Sequence, residues 1–222
     1  FLLFQGSDAT RFIGESRLRK RAYQHMITYA SLSPFWRQYF AKDEAQGVDL
    51  DELLGDINQL NLKEQGEIDL TLCLQMPKLR FIRIWAPGPV VGIEAIPLIP
   101  QLRELIIGSG SFTQEHLPLI AASPLLNNLV IIQIPFDDLD ALNDSPRIKS
   151  LSLVGVTTLA PEAIARLTKI TTLRISKLGT VDLAPLASMP KLRVLELDSL
   201  QLENLKVLGA KKLVDFDYGD KA

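Results

Sequence analysis

The chain has 222 residues, of which 47% are hydrophobic, and a net charge of −2. That hydrophobic content excludes a disordered chain and is enough for one large domain or a repeat array. The near-neutral charge excludes a global bias toward nucleic acid or an anionic membrane surface. A single cysteine, Cys73, excludes an internal disulfide framework; it fits a cytoplasmic setting and leaves an extracellular or secreted-effector setting open.

The opening "FLLF" is too short, and lacks the basic flank, for a signal peptide. No apolar run approaches the ~20 residues a membrane span needs, so no membrane partner is expected. Residues 1–13 read as a lead-in: a hairpin with Gly6-Ser7-Asp8 in its turn, the tail of an upstream domain, or a cloning remnant around "LFQGS". Residues 14–50 read as a helical N-terminal cap. Leu18, Tyr23, Met26, Ile27 and Ala30 fall at helical steps, and Ser33-Pro34 reads as an N-cap followed by Pro at the first helical position. The second helix would carry Phe35, Trp36, Tyr39 and Phe40. A cap shielding the apolar end of a repeat array is the plainer reading; an F-box-like or other adaptor module is the alternative, although the Leu-Pro opening of an F-box is missing.

From residue 51 onward one spacing recurs, L-x-x-L-x-L. It appears at Ile57/Leu60/Leu62, Leu79/Ile82/Ile84, Leu102/Leu105/Ile107, Leu126/Leu129/Ile131, Ile148/Leu151/Leu153, Ile170/Leu173/Ile175, Leu192/Leu195/Leu197 and Leu213/Phe216/Tyr218. Successive starts are 22, 23, 24, 22, 22, 22 and 21 residues apart. The pentapeptide MPKLR, at 76–80 and again at 189–193, opens the second and seventh of these units. On a helix, positions 4 and 6 of the motif would lie about 200° apart. On a strand they share one face and point inward. Each unit is too short to bury a core alone, so neighbours must stack and bury one jointly.

This pattern resembles the leucine-rich-repeat family, in its short, internalin-like form of about 22 residues per unit. "VDLAPLASMPKL" (181–192) carries that resemblance best, with Leu183, Leu186, Met189 and Leu192 at steps of three. The resemblance covers Ile57 to Tyr218 and implies an α/β solenoid over 51–222. About eight parallel strands would line its concave side, with short helical or 3₁₀ return segments such as "APEAIARL" (160–167). The family's asparagine, three residues after the last motif leucine, is absent. Gln65, Pro87, Gly110, Ile134, Val156, Leu178 and Leu200 stand there instead, so the turns must satisfy their amides by other means. The chain stops soon after "DFDYGD" (215–220), so an uncapped C-terminal edge available for association is expected.

Little here suggests catalysis. His25 and His116 make no metal or nucleophile spacing with Cys73. "GSGS" (108–111) lacks the Lys and helix of a phosphate loop. The acidic stretches "FDDLDALND" (136–144) and "DFDYGD" lack the spacing of a Ca²⁺ loop. No catalytic residue, metal or cofactor is expected.

The outward strand positions are more informative. Phe81, Trp85, Ile106, Val130, Ile132 and Val154 form an apolar group across units 2 to 5, with Arg80, Arg83 and Arg103 flanking it on the N-terminal side. Glu196, Asp198, Asp215, Asp217 and Asp220 gather at the other end. Strand propensity accounts for single Val and Ile residues. A cluster that includes Trp beside Arg has the composition of a binding hot spot. The expected function is a non-enzymatic scaffold that binds a partner protein on the concave sheet, with no nucleic-acid partner. The alternative is the substrate-recognition subunit of a ubiquitin ligase, or an injected bacterial effector.

Overall fold

The computed structural model describes residues 27–63, 66–108, 110–156, 160–176 and 184–198. The chain divides into two compact units, Phe1–Leu53 and Leu54–Ala222.

In the first unit, Ile27 and Thr28 are not helical and Tyr29–Ser31 is a single 3₁₀ turn. The helical run expected through Ile27 and Ala30 is therefore corrected. Thr28 is extended (φ −113°, ψ 158°), its N–H donates to Ser31 Oγ at 3.0 Å, and that hydroxyl donates to Thr28 O at 2.7 Å. These local side-chain bonds close a turn in competition with a continuing helix. The part of that run before residue 27, and the whole of 1–13, lie outside the described residues. The next helix, Pro34–Tyr39, has Ser33 at its N-cap and Pro at its first position, as expected. Ser33 Oγ does not cap it, however, being buried without a hydrogen-bond partner. Its aromatic residues pack on one another: Trp36 stacks on Phe40 at 5.6 Å and meets Phe35 edge-on at 5.1 Å. A short helix Ala41–Ala45 follows, and a third covers Leu50–Asp56.

The second unit is a parallel solenoid. Its strands are β1 (Gln59–Leu62), β2 (Ile68–Asp69), β3 (Phe81–Ile84), β4 (Val90–Val91), β5 (Glu104–Ile107), β6 (Asn128–Ile132), β7 (Ser150–Val154), β8 (Thr172–Ser176) and β9 (Val194–Asp198). Seven of them form one sheet in the order β1-β3-β5-β6-β7-β8-β9, every pair parallel. Each of these seven carries one L-x-x-L-x-L copy. The eighth copy, with the C-terminal edge, lies outside the described residues. The pairing is in phase: Leu60, Ile82, Leu105, Leu129, Leu151, Leu173 and Leu195 are register partners along one row. All seven are buried, because alternate residues of a strand share a face and in-phase units pile like residues on like.

Return segments close the core from behind. They are the 3₁₀ turns Leu70–Gln75, Ile93–Leu98, Gln114–His116, Asp140–Asp144 and Ala184–Ser188, with short α-helices Leu117–Ala121 and Pro161–Ala165. Helices of that length match units with little sequence to spare, and Pro161–Ala165 falls within "APEAIARL". The recurring MPKLR is the passage from return segment to strand. Met76 and Met189 are buried core, Pro and Lys are exposed in a turn, Leu79 and Leu192 re-enter the core, and Arg is exposed at the strand's start. Among the described residues, no helix is long and apolar enough to cross a membrane.

The missing asparagine row is replaced piecemeal. Ile134 and Val156, at the asparagine position, are buried as apolar side chains. The ladder runs one residue beyond the strands, Trp85 N–H donating to Leu62 O and Gly108 N–H to Ile84 O, both at 2.8 Å. Two units build the small second sheet β2–β4 instead. There Gly88 is required, because a Cβ would lie 2.3 Å from Gly66 O. Other amides find side chains: Val90 N–H donates to Ser111 Oγ at 2.9 Å and Asp137 N–H to Gln114 Oε1 at 3.1 Å.

Candidate functional site

The outward positions of the sheet stand in three columns. The first runs Phe81, Glu104, Asn128, Ser150, Thr172, Val194; the second Arg83, Ile106, Val130, Ser152, Arg174, Glu196. The third contains Ile132, Val154 and Ser176 in register, with Trp85 and Gly108 just past the ends of their strands. The period-two geometry that buries positions 4 and 6 of the motif turns these columns to the open face.

A shallow groove of about 490 Å³ follows that face from Arg83 and Trp85 to Glu196. Trp85, Ile106, Val130, Ile132 and Val154 line it together with Arg83. Trp85 is the prominent group: it is 52% exposed, and the other exposed large apolar residue among those described, Val91 at 38%, lies in the small sheet. The indole leans toward Gly108, where a Cβ would stand 3.7 Å from Trp85 Cδ2 and 3.4 Å from Ile132 Cβ.

Five of the six residues of the expected apolar cluster thus line one groove, Phe81 standing outside it, and their exposure is uneven. Ile106 and Ile132 are only 7% and 9% exposed, since branched side chains one strand step apart cover each other. Phe81, Val130 and Val154 are partly exposed. Arg83 is exposed, its guanidinium carbon 5.9 Å from the centroid of Phe81. Arg80 and Arg103 are exposed as well, but they stand one residue ahead of β3 and β5, outside the groove.

Of the expected acidic group, Glu196 and Asp198 lie on β9, Asp198 in register with Ser176. Glu196 is the register partner of Arg174 and forms an ion pair with it. Asp215, Asp217 and Asp220 lie outside the described residues. Sequence reasoning also passed over the polar side of the groove, Glu104, Asn128, Ser150 and Thr172. The register of the first column would have found them. Asn128 Oδ1 is buried with no hydrogen-bond partner.

The reactive side chains have other work. Cys73 is fully buried in a return segment, and its thiol is pushed up to about 12, first by burial and then by the nearby charge of Asp69. A thiol held neutral is no nucleophile. His116 Nδ1 accepts from Thr113 N–H at 3.0 Å and so closes the turn it follows; His25 lies outside the described residues. In the stretch 136–144, Asp138 Oδ1 accepts from Asp140 N–H at 3.0 Å, while Asp140 pairs with Arg166. Among the described residues, no group of three His, Cys, Asp or Glu side chains is placed to hold a metal.

Fold and site together define a leucine-rich-repeat solenoid with a groove on its open sheet. No family model matches the chain, and no curated protein matches it. Among solved structures it is similar to internalin C2 from Listeria monocytogenes, at 21% identity and a TM-score of 0.51, over 77% of this chain and 75% of that one. It also aligns with internalin F from the same organism at 16% identity and a TM-score of 0.33, over 76% of this chain and 69% of that one. The first likeness supports the fold, including the short, internalin-like unit length.

Proposed function

We propose that this protein is a non-enzymatic interaction scaffold that binds a partner protein along the open face of its sheet. The carrying observation is Trp85: a large aromatic side chain, half exposed, at one end of a contiguous apolar strip with Arg83 beside it. Apolar patches rimmed by polar groups mark interaction sites, and buried Trp and Arg dominate measured binding energies. Glu104 and the Arg174–Glu196 pair supply the polar rim, which selects orientation more than it adds affinity. The partner that fits has an apolar centre to cover Trp85, Val130 and Val154. The lone, buried Cys73 suits a reducing compartment, and the cytoplasm is the placement adopted.

The test is affinity capture with the wild-type chain, followed by purification of the captured protein and a binding titration. Trp85→Ala should weaken that binding by about 2 kcal/mol, or roughly thirtyfold. Equal binding by the Trp85→Ala protein would remove the groove from the interface.

A further inference from the structure

The residues that immediately precede the strands build a second surface. Their backbones form a continuous ladder: Arg103 N–H donates to Arg80 O at 2.8 Å, Asn127 N–H to Arg103 O at 2.9 Å, Lys149 N–H to Asn127 O at 3.1 Å, Thr171 N–H to Lys149 O at 2.8 Å, and Arg193 N–H to Thr171 O at 2.8 Å. This edge therefore carries Arg, Arg, Asn, Lys, Thr and Arg at steps of about 4.8 Å, the spacing of hydrogen-bonded strands. Arg147 and Lys191, two residues ahead of Lys149 and Arg193, add to it. All six cations are exposed.

Four other cations of the repeats are engaged. Lys78 pairs with Asp56, Arg166 with Asp140 and Arg174 with Glu196, and Lys169 Nζ donates to Ser145 O at 2.9 Å. The six edge cations have no carboxylate partner among the described residues. Arg80 and Arg103 sit one strand step apart, an arrangement that costs stability through like-charge repulsion. Two shallow grooves run along the edge, one of about 330 Å³ with Arg103, Arg147 and Lys149 in its walls, and one of about 660 Å³ with Lys149, Lys191 and Arg193. They share Lys149, and no carboxylate lines either. In a chain of net charge −2, this is a concentrated positive strip.

We infer that the strand-entry edge, from Arg80 to Arg193, is a docking strip for an acidic polypeptide segment. Five strand steps make it about 24 Å long, which an extended segment of about seven residues would span. The lining includes no aromatic ring, and aromatic rings are the platforms on which single-stranded nucleic acids stack their bases. The preference for a polypeptide over a polyanionic sugar rests on the proposed function as a protein-binding scaffold. The strip borders the same sheet, so an acidic flank of one partner would reach it.

The experiment is fluorescence anisotropy with a labelled Asp/Glu peptide of about ten residues, long enough to span the strip, titrated at low and high salt. Binding is expected at low salt and should fade with added salt. The double variant Arg147→Glu, Lys149→Glu should bind about tenfold or more weakly, while circular dichroism and the thermal midpoint confirm that its fold is retained. Trp85→Ala should bind this peptide like wild type, so loss of the groove's function and loss of the strip's function are separable. Absence of peptide binding, or unchanged binding by the charge-reversed variant, would overturn the inference. Tighter binding of a charge-matched oligothymidylate or heparin fragment would overturn its assignment to a polypeptide.

Discussion

The inward and outward columns of the same sheet teach different lessons. Inward, every position from Leu60 to Leu197 is Leu or Ile and buried. Outward, at the same height and one residue away, the columns hold Phe, Glu, Asn, Ser, Thr, Arg, Ile, Val and Trp. Stacking constrains the first set, because a unit of about 22 residues is stable only when its apolar side meets the next. The second set is released from that demand and can specialise. Within it the groove carries both signs of charge around an apolar centre, whereas the charges of the entry edge are all positive. Fold and proposed recognition are therefore separated by a single residue step along each strand.

The widest contrast that would break this separation concerns reactivity. Cys73 belongs to the buried set, so its native thiol should react with a soluble thiol reagent at least about five-thousandfold more slowly than in the unfolded chain, the factor set by a stability of about 5 kcal/mol or more. Rapid labelling under native conditions would show an open core. Linkage gives the same group a pH signature. Its folded pKa is raised, so the stabilising contribution is fully present below about 9, the ordinary thiol value, and is lost as pH rises toward about 12.

Next in size are truncations of the inward row. Leu151→Ala, at the middle of the sheet, should lower unfolding free energy by about 2–5 kcal/mol in urea titrations. A smaller effect is expected where side chains tie successive return segments. Asn143 Oδ1 accepts from Thr168 N–H at 2.8 Å and its Nδ2 donates to Arg166 O at 3.2 Å. Asn143→Ala should cost about 1 kcal/mol, the net worth of such bonds, with the loss read in the same titration. Smallest of all, Arg83→Ala should leave stability unchanged. In the partner complex it should slow association and flatten its salt dependence, which stopped-flow mixing at two ionic strengths would record.

How far the sequence speaks follows the same division. The motif leucines were legible because stacking repeats the same demand in every unit, and their in-phase spacing reads directly as register. Trp85 was legible because an indole on an outward position is seldom there for propensity alone. The shielding of Ile106 and Ile132 was not legible, since it arises between register partners 22 to 24 residues apart in sequence. The Arg174–Glu196 pair has the same origin: both residues were visible in one column, yet pairing needs the side-chain geometry. The helix Leu50–Asp56 went unread because its seven residues are too few for a periodic signal. Three cations of the entry edge, Arg80, Lys191 and Arg193, fall within the recurring MPKLR, but Arg103, Arg147 and Lys149 join them only through the register of strands distant in sequence.

One pair of neighbours tests the separation of fold from recognition most directly. Ile84 and Trp85 are consecutive, one buried at the end of β3 and one exposed just beyond it. Urea unfolding of Ile84→Ala and Trp85→Ala, measured side by side, should show a loss of about 2–5 kcal/mol for the first and a change within about 0.5 kcal/mol for the second. A Trp85→Ala loss as large as that of Ile84→Ala would contradict the account, because it would make Trp85 part of the core and not of a binding face.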